Sequence, residues 1–280
     1  MDDFVLSHLR ALISERHPIS SPAGLRRAQD YIAEQYRRLG LKVSFHAFRA
    51  LGGTYKNVLG TLRPARGASK PPLIIAAHYD TVEDTPGADD NASGLAAMLE
   101  AARRLHERAP SCEIRFLATC LEEQDLLGSV AYAASLREAN EEILGAIVLE
   151  CVGYTSGREG SQTAPPATPI AVPHVGDFLA IVANTASAVL AKSFEQAAKR
   201  EVPDLKTVSL VVPAQGEQLP DTRRSDHAAF WQFGYPALML TDTANFRNPH
   251  YHRSTDTLET LDLGFIRRVA QAVSAAAASL

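Results

Sequence analysis

The chain has 280 residues, 46% of them apolar and 21% charged, with a formal net charge of −4. That balance is ordinary for a water-soluble globular protein with a sizeable core. With no basic stretch and no apolar run of 18 residues, neither nucleic acid nor a membrane is an expected partner.

The N-terminus is acidic (MDD) and lacks the continuous apolar stretch of a secretory signal, which predicts a cytoplasmic location. Residues 4–15 and 23–39 have helical periodicity. In the second, Ser21 is the expected N-cap, Pro22 the first helical residue and Gly40 the stop. LKVSFHAF (41–48) alternates like a half-exposed strand, and YKNVLGTL (55–62) is a candidate partner for it. A turn rich in Pro, Gly and Ala (63–72) leads into LIIAAHYD (73–80), a short apolar run suited to a strand covered on both faces. Helix 92–107, buried strand 114–121, helix 127–139 and buried strand 145–152 follow. Beyond a polar surface loop (155–174), we expect a helix (176–199), a strand (207–212), a short helix (226–233), the strand PALMLTD (236–242) and a closing helix (263–279). Such alternation predicts one α/β domain over residues 1–280. Its form is a three-layer sandwich with a mixed, largely parallel central sheet flanked by helices, like the phosphorylase/hydrolase folds. The three cysteines, Cys112, Cys120 and Cys151, lie within or beside apolar runs without CxxC spacing. They read as buried hydrophobes rather than a disulfide framework or a thiolate zinc site.

Chemistry concentrates where these strands end. His78 and Asp80 close the first buried strand, and ligand sites in open α/β sheets lie at the carboxyl ends of strands. Positions i and i+2 share a side, so Asp80 can hold the ring nitrogen of His78 that faces away from a metal. GADDNASG (87–94) crowds Asp89, Asp90 and Asn91 beside it, more polar groups than one helix cap requires. Glu122 and Glu123 end the next strand. Glu150 interrupts GAIVLECV, where an unpaired carboxylate costs several kcal/mol unless a cation or proton offsets it. The segment 245–257 adds His250 and His252. His17, His46, His106 and His174 stand in surface-like contexts, and His227 reads as a residue ordering a helix start. Mixed imidazole and carboxylate donors favour zinc over magnesium or calcium, which prefer oxygen alone.

In order and spacing, HYD (78–80), GADDNASG (87–94), EEQDLLGS (122–129), LECVGY (149–154), SDHAAF (225–230) and NPHYHRSTDT (248–257) resemble the M28 family of zinc aminopeptidases. The resemblance runs from about residue 20 to 275. It implies two zinc ions per chain, with Asp89 as the bridging carboxylate, His78 and Glu150 on one ion and Glu123 and His252 on the other. It further implies Glu122 as general base, Asp80 as the carboxylate orienting a histidine, and Tyr251 as a stabiliser of the oxyanion. Glu150 departs from the aspartate that the best-known members carry there. The implied reaction is hydrolysis of N-terminal residues from peptides by a water bridging the two ions, with a monomer the simpler expectation. Alternatives are carboxypeptidase or dipeptidase action, with Arg223, Arg224, Arg247 or Arg253 reading a terminal carboxylate. A mono-zinc glutaminyl cyclase and a catalytically dead binding module are the others.

Overall fold

The computed structural model describes residues 3–64, 70–108 and 110–280. Two helices, α1 (Phe4–Leu12) and α2 (Pro22–Arg38), precede an antiparallel hairpin of β1 (Lys42–Ala50) and β2 (Gly53–Leu62). Pro22 opens α2, and Gly40, at φ +73°, follows its end in a conformation that costs an L side chain strain. Part of the expected turn at 63–72, residues 65–69, lies outside the described residues.

The buried strands come next: β3 (Leu73–His78), β4 (Ile114–Thr119) and β5 (Gly145–Glu150), separated by α3 (Gly94–His106) and α4 (Leu127–Glu138). A wide helical turn, Ala88–Ser93, precedes α3. In the loop after β5, β6 (Ser156–Glu159) and β7 (Val175–Gly176) form a small ribbon. Then come β8 (Leu179–Asn184), α5 (Ala188–Glu201), β9 (Thr207–Val212), α6 (His227–Gln232), β10 (Ala237–Thr241) and α7 (Leu263–Ser279).

The strands of the main sheet run in the order β1-β2-β4-β3-β5-β10-β8-β9. The joins β4-β3, β3-β5, β5-β10 and β8-β9 are parallel, and β1-β2, β2-β4 and β10-β8 are antiparallel. The sheet is therefore mixed and largely parallel, as expected. One expected element is corrected. Residues 176–199 are not one helix, because their first part, LAIVAN, is the buried strand β8. Asn184 ends it by accepting from the Ser187 amide at 3.0 Å and from the Ser187 hydroxyl, and α5 begins four residues later.

Alternate residues feed two cores. Ile75, Ala77, Phe116, Ile147 and Leu238 face α1, α2, α3, α5 and α7, while Ile74, Leu117, Val148 and Met239 face α4 and α6. Leu95, Leu99 and Leu105 of α3 are fully buried, and truncating any one to Ala costs about 2–5 kcal/mol. On the second face α4 and α6 cover the middle strands, but over β8 and β9 the roof is loop, from residues 162–172 and 221–224. The carboxyl ends of β3, β4 and β5 lie side by side, and the site forms there. No helix among the described residues is long and apolar enough to cross a membrane.

Candidate metal centre

His78 is the last residue of β3 and only 1% exposed. Asp80, fully buried two residues on, has one oxygen 3.7 Å from His78 Nδ1. The same carboxylate accepts the backbone N–H groups of Glu122 and Glu123, both at 3.1 Å. Asp80 thus anchors the chain carrying the two glutamates and stands beside the histidine ring, on the side away from the other carboxylates.

The centre of the cluster is Asp90. Its Oδ1 lies 3.1 Å from His78 Nε2 and its Oδ2 lies 3.0 Å from His252 Nε2. Two oxygens of one carboxylate facing two different histidines is the geometry of a bridge. Asp89, the residue expected there, turns the other way. Its Oδ1 accepts from the Gly153 amide at 2.8 Å and its Oδ2 from Asn248 Nδ2 at 2.7 Å, so both oxygens are engaged away from the histidines. The expectation for Asp89 is therefore corrected to Asp90. The physical reason is the backbone of the wide turn: Asp90 is extended (φ −105°, ψ 89°) within it, so adjacent side chains leave in different directions. Asp256, which sequence reasoning missed, holds this turn by accepting the amides of Asp89 (2.9 Å) and Asp90 (3.1 Å).

The other expected ligands converge in the expected pairs. Glu150 Oε2 is 3.4 Å from His78 Nε2, and Glu123 Oε2 is 3.3 Å from His252 Nε2. Glu150 is oriented by the Ser225 hydroxyl, which donates to Oε2 at 2.7 Å, and by the Cys151 thiol, 3.2 Å from Oε1. Glu122 Oε2 stands 3.9 Å from His78 Nε2. His250 is outside the cluster, its Nδ1 3.0 Å from the Thr255 hydroxyl. His227 is buried, bonded to the Thr222 carbonyl at 2.7 Å and set edge-on to Trp231 at the start of α6, the ordering part expected of it.

Burial and charge set the protonation of this cluster. Burial drives the Glu122 carboxyl well above its usual range despite His78 nearby, and Glu150 and Glu123 push it the same way. Glu123 is raised to about 7 by burial and by the charge of Asp90. For Asp90, burial acts upward, but the imidazoles of His252 and His78 facing it outweigh burial and hold the carboxyl below its ordinary value. Burial would lower His252, yet its bonds to Asp90 and Glu123 carry it up to about 10. Without an ion the cluster therefore balances itself with protons, and a bound cation must displace them.

Several buried side-chain atoms have no hydrogen-bond partner among the described residues: Nδ1 and Nε2 of His78, Oδ1 of Asp90 and Oε1 of Glu123. Ligand atoms of His78, Glu122 and Glu150 lie within 4.8 Å of one another, as do those of His78, Asp90 and Glu123. Unpartnered imidazole and carboxylate atoms at this spacing fit a transition-metal site, and the mixed donor set fits zinc.

The sequence profile of Peptidase family M28 matches residues 57–277. An uncharacterised protein of Escherichia coli K12, YfbL, is 36% identical over 281 residues, covering 95% of this chain and 84% of that protein. The chain belongs to peptidase family M28. That places it among the peptidase hydrolases, as the motifs implied. Among solved structures, the M28 chain is similar to BSAP, a zinc aminopeptidase from Bacillus subtilis, at 28% identity and a TM-score of 0.61. It covers 81% of this chain but only 50% of that one. The fold is shared with the LapA aminopeptidase of Legionella pneumophila (TM-score 0.76, 17% identity, 99% of this chain and 71% of that). It is shared also with a glutaminyl cyclase of Tannerella forsythia (TM-score 0.67, 18% identity, 99% and 96%).

Two further features flank this M28 site. Tyr251 stacks on the His252 ring (3.8 Å, 17°), and its phenolic oxygen accepts from Arg224 Nη2 at 3.2 Å. Beside Tyr251 and Glu150 opens a cavity of about 120 Å³, floored by Ala180, Val182, Leu210 and Met239 and walled by Phe178 and Ile170. Of the arginines expected as readers of a carboxylate, Arg247 is buried, bonded to Gln162 Oε1 at 2.7 Å and stacked over Phe178 at 4.5 Å. Arg224 is tied to Asn245 at 2.8 Å and to Asp221.

Proposed function

We propose that this chain is a zinc-dependent aminopeptidase acting as one domain over residues 1–280, and that it removes apolar N-terminal residues from peptides. The observation carrying this reading is Asp90 set between His78 and His252, with Glu150 and Glu123 flanking them and Glu122 alongside. On this reading His78 and Glu150 would hold one zinc ion and Glu123 and His252 a second, with Asp90 available to both. Bound zinc lowers the pKa of a coordinated water towards neutrality and polarises a carbonyl.

The chain's own residues do the rest. Glu122, its amide fixed by Asp80, takes a proton from the attacking water and returns it to the leaving amine. Tyr251 receives a hydrogen bond from Arg224 and keeps its own proton free to donate to the oxygen that becomes negative in the transition state. The surplus of carboxylates around Glu150 and Glu122 suits a protonated N-terminus. The engagement of Arg247 and Arg224 within the fold disfavours them as readers of a terminal carboxylate. An apolar cavity of about 150 Å³ holds a benzene-sized group. At about 120 Å³ this one suits a branched aliphatic side chain.

The test pairs zinc quantification with a panel of aminoacyl-p-nitroanilides set against N-blocked peptides with free carboxyl ends. Two zinc ions per chain and release of nitroaniline only from free-amine substrates are the expected result. Action on the N-blocked peptides alone makes it a carboxypeptidase. One zinc with cyclisation of an N-terminal glutamine makes it a glutaminyl cyclase, a reading supported by the shared fold.

A further inference from the structure

Arg16 lies in the segment joining α1 to α2, outside the residues matched by the family profile, yet it is fully buried beneath the metal centre. Its guanidinium reaches across to the loop that links His78 to Asp90. Nε donates to the Tyr79 carbonyl at 2.8 Å, Nη1 to Pro86 at 3.0 Å, and Nη2 to Gly87 at 3.0 Å. On its own segment Nη1 donates to the carbonyls of Leu12 and Ser14. The Arg16 amide donates to the Thr81 hydroxyl at 3.0 Å. Gly87, at φ +63°, is closely packed on this side: a Cβ there would lie 2.4 Å from the Asp90 carbonyl oxygen and from Thr81 Cγ2, and 2.7 Å from Nη2.

All these acceptors are neutral. Hydrogen bonds to carbonyls satisfy the guanidinium's donors but not its charge, whose removal from water costs several kcal/mol. The compensation comes from the carboxylates of the site itself. Asp80, Asp90, Asp256 and Glu123 all favour the charged form, which persists at neutral pH although burial brings its pKa down to about 10. A neutral amide side chain could brace a loop. A permanent cation with five donors in a rigid fork both braces it and sits in the field of the acidic cluster.

We propose that Arg16 is a positioning residue for the metal centre: its guanidinium clasps the 79–87 loop and so holds His78 and Asp90, at the two ends of that loop, at bridging separation before any ion arrives. The inference rests on the metallopeptidase reading. It makes the N-terminal segment part of the metal site, though no residue of that segment is a ligand. By reciprocity, a clasp that favours the ion must itself be tightened by the ion.

The test is made on the full chain and reads metal affinity and amide exchange rather than turnover. Zinc affinity is measured by competition with a chromophoric chelator for the wild type, Arg16→Lys and Arg16→Ala. Lysine keeps the charge but loses the fork, and a loss of roughly 10- to 100-fold in affinity is expected, the usual size of effect for groups that support metal ligands. Arg16→Ala should lose more and recover part of it on adding millimolar guanidinium ion, which fits the vacated space. In the unaltered protein, stripping zinc should speed exchange of the Arg16 amide. Wild-type affinity in folded variants overturns the proposal, as does an Arg16 exchange rate that ignores zinc. Should the alanine variant fail to fold, the lysine variant and the exchange measurement decide. A wild-type chain that takes up no zinc sinks the metallopeptidase reading and this inference together, whereas normal uptake in wild type and variants alike sinks only the latter.

Discussion

Replacing Asp90 by asparagine keeps the size and shape of the side chain but removes its charge and leaves a single carbonyl oxygen to coordinate. The two carboxylate oxygens face different histidines, 3.1 Å and 3.0 Å away, so a carboxamide can serve at most one of the two proposed ions. Zinc held by four protein ligands is bound by about 10–16 kcal/mol, or about 3 kcal/mol per ligand, which is roughly 100-fold in affinity for the ion that loses its bridge. The control is one residue away. Asp89→Asn removes no ligand but sets an amide donor against the Gly153 N–H or the Asn248 side chain, at a cost of about 1–3 kcal/mol of folding stability. Elemental analysis after dialysis, chelator competition and urea unfolding separate the two effects. Asp90→Asn should retain at most one tight ion with near-normal stability, and Asp89→Asn should keep both ions and unfold at lower urea. If Asp89→Asn sheds zinc while Asp90→Asn keeps two ions at wild-type affinity, the bridge is Asp89 and the geometric argument is wrong.

Glu122→Gln should leave zinc content unchanged and lower kcat by about 10²- to 10⁴-fold, and unaltered turnover would move the proton-transfer role elsewhere. Ala180→Phe places a ring in the cavity beside Glu150. It should reduce kcat/KM for a leucyl substrate by roughly 10- to 200-fold while sparing an alanyl one; parallel loss on both argues that the cavity does not read the side chain. His8, bonded to the Tyr31 hydroxyl at 2.7 Å, is driven from 6.5 down to about 4 by burial, against the opposing charge of Glu100. Below pH 6.5 the unfolded chain takes up a proton that the folded chain refuses, so stability falls as pH falls from 6.5 to 4. Between pH 7 and 5 this loss is about 2 kcal/mol, and His8→Asn should remove it. Urea unfolding of both proteins at the two pH values checks this, and a constant difference between them contradicts it.

The apolar runs ending in His78, Glu122 and Glu150 were legible as buried strands, because a sheet covered on both faces leaves uninterrupted hydrophobic sequence. Residues 179–184 defeated the same reasoning. A short apolar run followed directly by a helix can be read as the start of that helix, and only its pairing with β10 and β9 decides otherwise. The resemblance named His78, Glu123, Glu150 and His252, and the structure brings these four into one cluster. It selected Asp89 where the structure turns Asp90 inward, since one residue of offset is decided by the backbone of a six-residue turn. Asp256 lay within a motif already singled out, and its role as a cap for that turn emerges only when residues 166 or more apart meet. Arg16 gave no signal, because its partners are backbone carbonyls, which every residue possesses.

The antiparallel join of β10 to β8 separates two parts of the sheet. Every ligand of the cluster comes from strand ends and loops on the parallel side or from the turn after β10, whereas the cavity floor beyond Met239 is built on β8 and β9. Its roof is a loop that supplies none of the ligands. If the cavity reads the substrate side chain as proposed, chimeras exchanging residues 160–174 between family members should change that preference and leave the residues of the cluster untouched.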